Sequence, residues 1–251
     1  MCYGDDARPP APPVRGEVGD HGDLVLTSAD GTQFAAYHAR PAGASSRAIV
    51  ILPDVRGLHS FYKELAHRFA EAGVQAIAFD YFGRTAGAEK RGDDFEYMPH
   101  VEETTHQGLQ ADIAACVAYL RGAGCQAIFT VGFCFGGRNS WLAAASGHGL
   151  AGAIGFYGRP AAGRPSDTPG AIDRAGEIAA PILALQGGDD PGIPVEESRA
   201  FDDALTAAGV EHQVVIYDGA PHSFFDRKYE EFAADSEDAW NRVLAFIERY
   251  A

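Results

Sequence analysis

From residue 47 onward the chain alternates two kinds of pattern. Short unbroken apolar runs occur in RAIVILPD (47–54), VQAIAFDYF (74–82), QAIFTVGF (126–133), AGAIGFYG (151–158), PILALQGGDD (181–190) and EHQVVIYDGA (211–220). Runs of this length, bounded by turn residues, predict strands buried on both faces of a parallel sheet. Between them lie stretches whose apolar residues recur at helical spacing: 61–73, 104–122, 136–147, 195–209 and 232–250. Gly73 is placed to stop the first of these helices. Strands alternating with helices predict an α/β fold, a mostly parallel central sheet with helices on both faces. Two connections lack periodicity and are expected as loops, GRTAGAEKRGDDFEYMPHVE (83–102) and the stretch 159–180. The latter could cover a pocket or decorate the surface.

The front of the chain is different. DLVLTSADGTQFAAYHARP (23–41) alternates around Asp30-Gly31, a strong turn signal, and predicts a β-hairpin. Residues 1–22 carry Pro9, Pro10, Pro12 and Pro13 and are expected as an extended, poorly ordered lead-in to a single domain over 23–251.

The 251 residues carry 20 basic and 35 acidic side chains, a net charge of −15. Such a surface repels phosphate backbones, and no basic stripe is present, so nucleic acid is excluded as an expected partner. An anionic substrate would need a local arginine. No segment reaches the roughly 20 apolar residues of a membrane helix. The acidic, proline-rich start has no apolar stretch of secretory type, and the expectation is a cytoplasmic, monomeric protein.

The four cysteines are Cys2, Cys116, Cys125 and Cys134. No C-x-x-C pair or zinc spacing occurs among them, and HVEETTH (100–106) is not the H-E-x-x-H metal motif, so no zinc site is expected. Cys116 sits on the apolar face of a predicted helix and reads as core.

Cys134 is in a special setting. VGFCFGG (131–137) ends a predicted strand and opens a predicted helix, with Gly132, Gly136 and Gly137 letting the two backbones approach. This is the nucleophile-elbow pattern with cysteine where serine is common. The turn lifts the side chain above the sheet and sets the thiol at a helix N-terminus, which favours thiolate. The N–H of Phe135 would then face a developing oxyanion. A buried cysteine in a tight turn is the competing reading for the heptapeptide alone. Two strands later Asp189 and Asp190 compete as the acid, the spacing to Pro194 favouring Asp190. One strand further, His222 lies at a strand end, where a general base is needed. The order Cys134, Asp190, His222 is that of the α/β-hydrolases.

With GFCFGG (132–137), GGDDPGIP (187–194) and PHSFF (221–225) in this order, supported by LPDVRGL (52–58) and GFYG (155–158), the sequence resembles the dienelactone hydrolase family over roughly residues 23–251. The resemblance implies an α/β-hydrolase fold and cleavage of ester or lactone bonds, with no metal or organic cofactor. Cys134 would attack the carbonyl, His222 carry the proton and Asp190 orient His222. It further implies a second oxyanion donor at the Val55 N–H. Asp54 stands where the family typically has a glutamate able to modulate the thiol. The family holds its substrate's carboxylate with arginines, for which Arg84, Arg138, Arg159 and Arg227 are the candidates, with Phe133 and Tyr157 as further pocket residues. Asp226 occupies the position expected for one such arginine, so dienelactone itself is not expected to be the best substrate. A thioesterase or acyltransferase using the same residues, and a non-catalytic small-molecule-binding or redox-sensing protein, are the alternatives.

Overall fold

The computed structural model describes residues 8–92, 94–163 and 167–251. Eight strands form one sheet: β1 (Val18–Thr27), β2 (Gln33–Pro41), β3 (Arg47–Leu52), β4 (Gln75–Phe79), β5 (Ala127–Phe133), β6 (Gly152–Phe156), β7 (Ile182–Gly187) and β8 (His212–Tyr217). Their order is β1-β2-β4-β3-β5-β6-β7-β8, parallel from β4 to β8 with the β1–β2 hairpin added antiparallel at one edge. All six runs read from the sequence are strands. The inner ones are buried on both faces, which is why their sequences are unbroken apolar runs, whereas β1 and β8 at the edges are partly exposed.

Among the described residues the α-helices are α1 (Ser60–Glu71), α2 (Gly83–Ala86), α3 (Tyr97–Glu103), α4 (His106–Gly122), α5 (Phe135–Ala144), α6 (Val195–Ala207) and α7 (Ala233–Tyr250). Residues alternate sides along β3. Ile49 and Ile51 pack with Phe61, Leu65 and Phe69 of α1 and Trp240 and Phe246 of α7. Ala48, Val50 and Leu52 pack with Leu109, Ile113 and Leu120 of α4. Trp141 of α5 and Phe201 and Leu205 of α6 extend that second layer over β6 and β7. Gly73, at φ 80°, ends α1 as its sequence position implied, and the Val74 N–H reaches back to the Phe69 carbonyl.

Three expectations change. The stretch 83–102 holds α2 and most of α3. Helices of four and seven residues are too short for a period to show, and α3 carries Pro99 in its first turn, where the missing N–H costs nothing. The loop 159–180 is partly built into the body. Ala171, Ala175, Ile178 and Ala180 are buried against the α5–α6 layer, with a single 3₁₀ turn at Ala175–Glu177, while residues 164–166 lie outside the described residues. The hairpin starts at Val18, five residues before the expected boundary at 23. Its connection is closed by the Gly31 N–H on the Ser28 carbonyl, with Gly31 at φ 86°. Of the lead-in, residues 8–17 lie against the body. The Trp240 Nε1–H donates to the Pro10 carbonyl at 3.0 Å, the Gly16 N–H to the Glu71 carbonyl, and Pro9 and Pro12 are buried. Residues 1–7, with Cys2, lie outside the described residues. Among the described residues no helix is long and apolar enough to cross a membrane.

Candidate active site

The strand β5 ends at Phe133 and α5 begins at Phe135, so one residue makes the whole turn. That residue is Cys134, at φ 55° and ψ −112°. A side chain in the left-handed region costs about 1–3 kcal/mol and persists only where its surroundings over-determine it. Here they do. The Cys134 N–H donates to the Phe156 carbonyl at 3.0 Å, and the Cys134 carbonyl accepts from the Gly137 N–H at 3.0 Å. The glycines around it are sterically required. A Cβ on Gly132 would lie 1.9 Å from the Gly136 carbonyl oxygen, and one on Gly136 would lie 2.1 Å from that of Leu52. A Cβ on Gly137 would lie 2.7 Å from the Phe156 oxygen. The half-buried thiol sits before the first turn of a ten-residue helix.

The same close approach seats α5 against the loop that follows β3. There the Tyr81 hydroxyl donates to the Pro53 carbonyl at 2.6 Å, and the Asp54 N–H donates to the Tyr62 hydroxyl at 2.9 Å. Neither tyrosine carried a sequence signal, Tyr81 lying in an apolar run and Tyr62 in a stretch of helical spacing. Val55, next in this loop, packs against the apolar cluster that contains Phe135. Asp54 is buried, accepts from the Arg56 N–H at 2.9 Å and pairs with the Arg56 guanidinium at 3.6 Å.

Asp189 and Asp190 are placed differently. Asp189 is exposed and spends its N–H on the Ala220 carbonyl. Asp190 is buried, with Oδ1 accepting from the Gly192 N–H at 2.8 Å and Oδ2 lying 2.6 Å from His222 Nδ1. With Nδ1 so engaged, Nε2 is the ring nitrogen left for proton exchange. His222 precedes Ser223, at φ 64°, and its ring packs 4.9 Å from that of Tyr157, at φ 36°. Cys134, Tyr157 and Ser223 are the three non-glycine residues with positive φ among the described residues, and all three border this site. Sequence gives no notice of such backbone strain.

The other candidates divide. Phe133 is core, stacked on Phe156 at 4.8 Å and near Phe225 and Tyr62. Tyr157 is buried, with its hydroxyl donating to Asp226 Oδ2 at 2.8 Å. Burial lowers the Arg138 guanidinium to about 10, with Arg159 adding to the fall and Cys134 opposing it, and its Nη1 donates to the Ala161 carbonyl at 3.3 Å. Arg159 is half exposed and forked on Glu197 at 2.9 and 3.1 Å. Arg227 is exposed while Asp226 beside it is buried, so at this corner a carboxyl, not a guanidinium, faces inward.

Arg84 is corrected. It spans Asp112 at 2.5 Å and Asp30 at 2.9 Å, tying α4 to the hairpin. Nothing brings it to Cys134 or His222. Asp112 is fully buried and also accepts from the Ser28 hydroxyl. Arg84→Ala strands that carboxyl, and the expected result is a loss of about 3 kcal/mol of stability in urea unfolding. Turnover per folded molecule is expected to stay at the wild-type level. A cavity of about 450 Å³ lies on this same flank, between the hairpin and residues 88–97, with Arg56 and Leu58 in its wall, and Cys134, Asp190 and His222 are not among its lining residues.

The whole chain is similar to known proteins. A carboxymethylenebutenolidase of Rhodococcus opacus is 30% identical over 258 residues, covering 100% of this chain and 97% of its own length. A protein of Escherichia coli K12 named "Putative carboxymethylenebutenolidase" is 31% identical over 231 residues, 88% of this chain and 84% of that one. The crystal structure of a "Putative Dienelactone Hydrolase" from Klebsiella pneumoniae superposes with a TM-score of 0.79 at 27% identity, covering 92% of this chain and 100% of its own. The family model for dienelactone hydrolases matches residues 34–251, from the second strand through the last helix, and the chain belongs to that family.

Proposed function

We propose that the protein hydrolyses carboxylic ester or lactone bonds through a thioester formed on Cys134. The observation that carries this reading is the 2.6 Å contact between His222 Nδ1 and Asp190 Oδ2, at the end of the sheet where the strained elbow presents a thiol. Buried Asp190 fixes the tautomer and offsets the charge that His222 gains when it takes the thiol proton. The thiolate adds to the carbonyl carbon, and the oxyanion is held by the N–H groups of Phe135 and Val55. The tetrahedral adduct collapses to a thioester as the alkoxide leaves, protonated by His222. Water, deprotonated by the same imidazole, then adds to the thioester and releases the acid and Cys134. No step calls on a metal or organic cofactor. A cytoplasmic setting, which keeps the thiol reduced, and a monomeric state belong to the same proposal.

Two buried carboxyl groups, Asp54 and Asp226, lie close enough to interact with each other, and Asp226 with His222. They disfavour an acyl group that itself bears a carboxylate, so neutral esters and lactones are the preferred substrates in this reading. The test is hydrolysis of p-nitrophenyl acetate, a small neutral enol lactone and dienelactone by wild type and His222→Ala. Wild type is expected to turn over the neutral compounds faster than dienelactone, and His222→Ala to lose about a thousandfold or more in kcat. Equal activity in the two proteins would overturn the mechanism. A large preference for dienelactone would overturn the substrate class. Faster transfer to an added thiol or amine than to water would make the enzyme an acyltransferase.

A further inference from the structure

His222 is held by more than Asp190. One edge of its ring is fixed by the carboxylate, and the ring of Tyr157 lies against it, tilted by 54° with the ring centres 4.9 Å apart. Tyr157 follows β6 directly and is itself constrained at three points. Its N–H donates to the Leu185 carbonyl at 2.8 Å. Its backbone sits at φ 36°, and the preceding carbonyl, that of Phe156, accepts from the Cys134 N–H. Its hydroxyl donates to Asp226 Oδ2 at 2.8 Å. Asp226 in turn accepts from the Arg227 N–H through Oδ1 and is 1% exposed. A buried carboxyl is expensive unless it has partners, and strain of this kind concentrates where geometry serves function. Core packing alone needs neither the hydroxyl of Tyr157 nor an acid at 226. A phenylalanine and a leucine would fill the same space.

We propose that Tyr157 and Asp226 are positioning residues that act on His222 as one unit, Asp226 anchoring the tyrosine hydroxyl so that its ring fixes the imidazole between Asp190 and the thiol of Cys134. The inference rests on the role given to His222 above. It assigns a task to the carboxyl that stands where the family resemblance led one to expect an arginine.

The charged and titratable groups facing Asp226 are Tyr157 from the end of β6, Asp54 from the loop after β3, and His222 from its own loop. Burial pushes the Asp226 carboxyl up to about 7. The Arg227 N–H and the Tyr157 hydroxyl pull it down, Asp54 adds to the rise, and His222 opposes it. The carboxyl therefore changes charge in the pH range where a thiol–imidazole pair works, and its loss is expected to show in a pH profile as well as in a rate.

The test measures two things in a Cys2→Ser background. One is kcat and KM on p-nitrophenyl acetate. The other is the pH dependence of Cys134 alkylation by iodoacetamide, the described thiols other than Cys134 being buried. Tyr157→Phe is expected to lower kcat about tenfold with KM little changed, and to move the alkylation profile, because the imidazole is no longer held in line. Asp226→Ala is expected to match it. Asp226→Asn keeps an oxygen to accept from the hydroxyl, and its expected kcat lies close to wild type, but with the step near pH 7 gone from the profile. Tyr157→Phe combined with Asp226→Ala is expected to be no worse than either alone, as for two parts of one device. Should Asp226→Ala fail to fold, Tyr157→Phe and Asp226→Asn still decide. An unchanged kcat and profile in Tyr157→Phe would overturn the inference, as would a change confined to KM. His222→Ala separates the two levels of the argument. If that variant alkylates and turns over like wild type, it is the proposed function that has failed.

Discussion

Cys134→Ala is expected to abolish ester turnover, a fall of about ten-thousandfold or more, with the fold intact. The size follows from the chemistry. Without the thiol there is no covalent intermediate, and His222 and Asp190 have only water to activate. Cys134→Ser keeps a nucleophilic atom but one far harder to ionise, and a trace of activity is the expected result. Cys134→Gly makes the sharper comparison. Glycine accepts φ 55° without penalty, so this variant is expected to be about 1 kcal/mol more stable than wild type and inactive. The measurement is a urea unfolding curve beside the esterase assay for all three variants. Wild-type turnover in Cys134→Ala would remove the nucleophile from the argument. A destabilised Cys134→Gly would show that the thiol, and not the backbone, holds the turn together.

The second large effect is on stability. Gly136→Ala is expected to cost about 3 kcal/mol or more. Its Cβ would stand 2.1 Å from the Leu52 oxygen and 2.3 Å from the Pro53 oxygen, both backbone atoms with no rotamer to escape into. The only relief is to push α5 away from the end of β3. That movement also separates the N–H of Phe135 from the loop bearing Val55, so the folded fraction is expected to be slower as well. At about 2–4 °C per kcal/mol for a domain of this size, the melting temperature falls by roughly 6–12 °C. Gly122→Ala, at the end of α4 with nothing within 4 Å of an added Cβ, is the control and is expected to be neutral or slightly stabilising. Equal melting temperatures for the two variants would mean that the elbow yields more easily than its geometry implies.

The parts legible in the sequence are those whose physics is local. Buried parallel strands announce themselves as apolar runs, and all six were readable for that reason. The elbow was readable because several glycines crowd one turn, and Asp190 and His222 because each follows a strand end at a fixed place in the order. Pairings across the fold were not readable. Arg84 looks like any loop arginine until Asp112, 28 residues on, is seen beneath it. The first residues of β1, VGDHG, carry no apolar alternation because they lie on an exposed edge, and only their register with β2 makes them a strand. The choice between Asp189 and Asp190 needed the structure, since adjacent residues point in different directions. Tyr62 and Tyr81 carried no signal in the sequence, and Tyr157 was expected as a pocket residue rather than as a partner of Asp226. Their hydroxyl partners, an amide for Tyr62, a carbonyl for Tyr81 and a carboxyl for Tyr157, are what give them positions at the site.

The three strained backbones at Cys134, Tyr157 and Ser223 bear on how the protein responds to selection. Glycine at Cys134 relieves conformational energy at the cost of one small, half-buried side chain, so that position is a ready source of heat resistance, whereas at Tyr157 the loss of a fully buried ring outweighs any relief. A laboratory screen that rewards survival at high temperature alone would find the glycine at 134 early. It would collect sturdier molecules that no longer turn over substrate, unless every round also demanded activity.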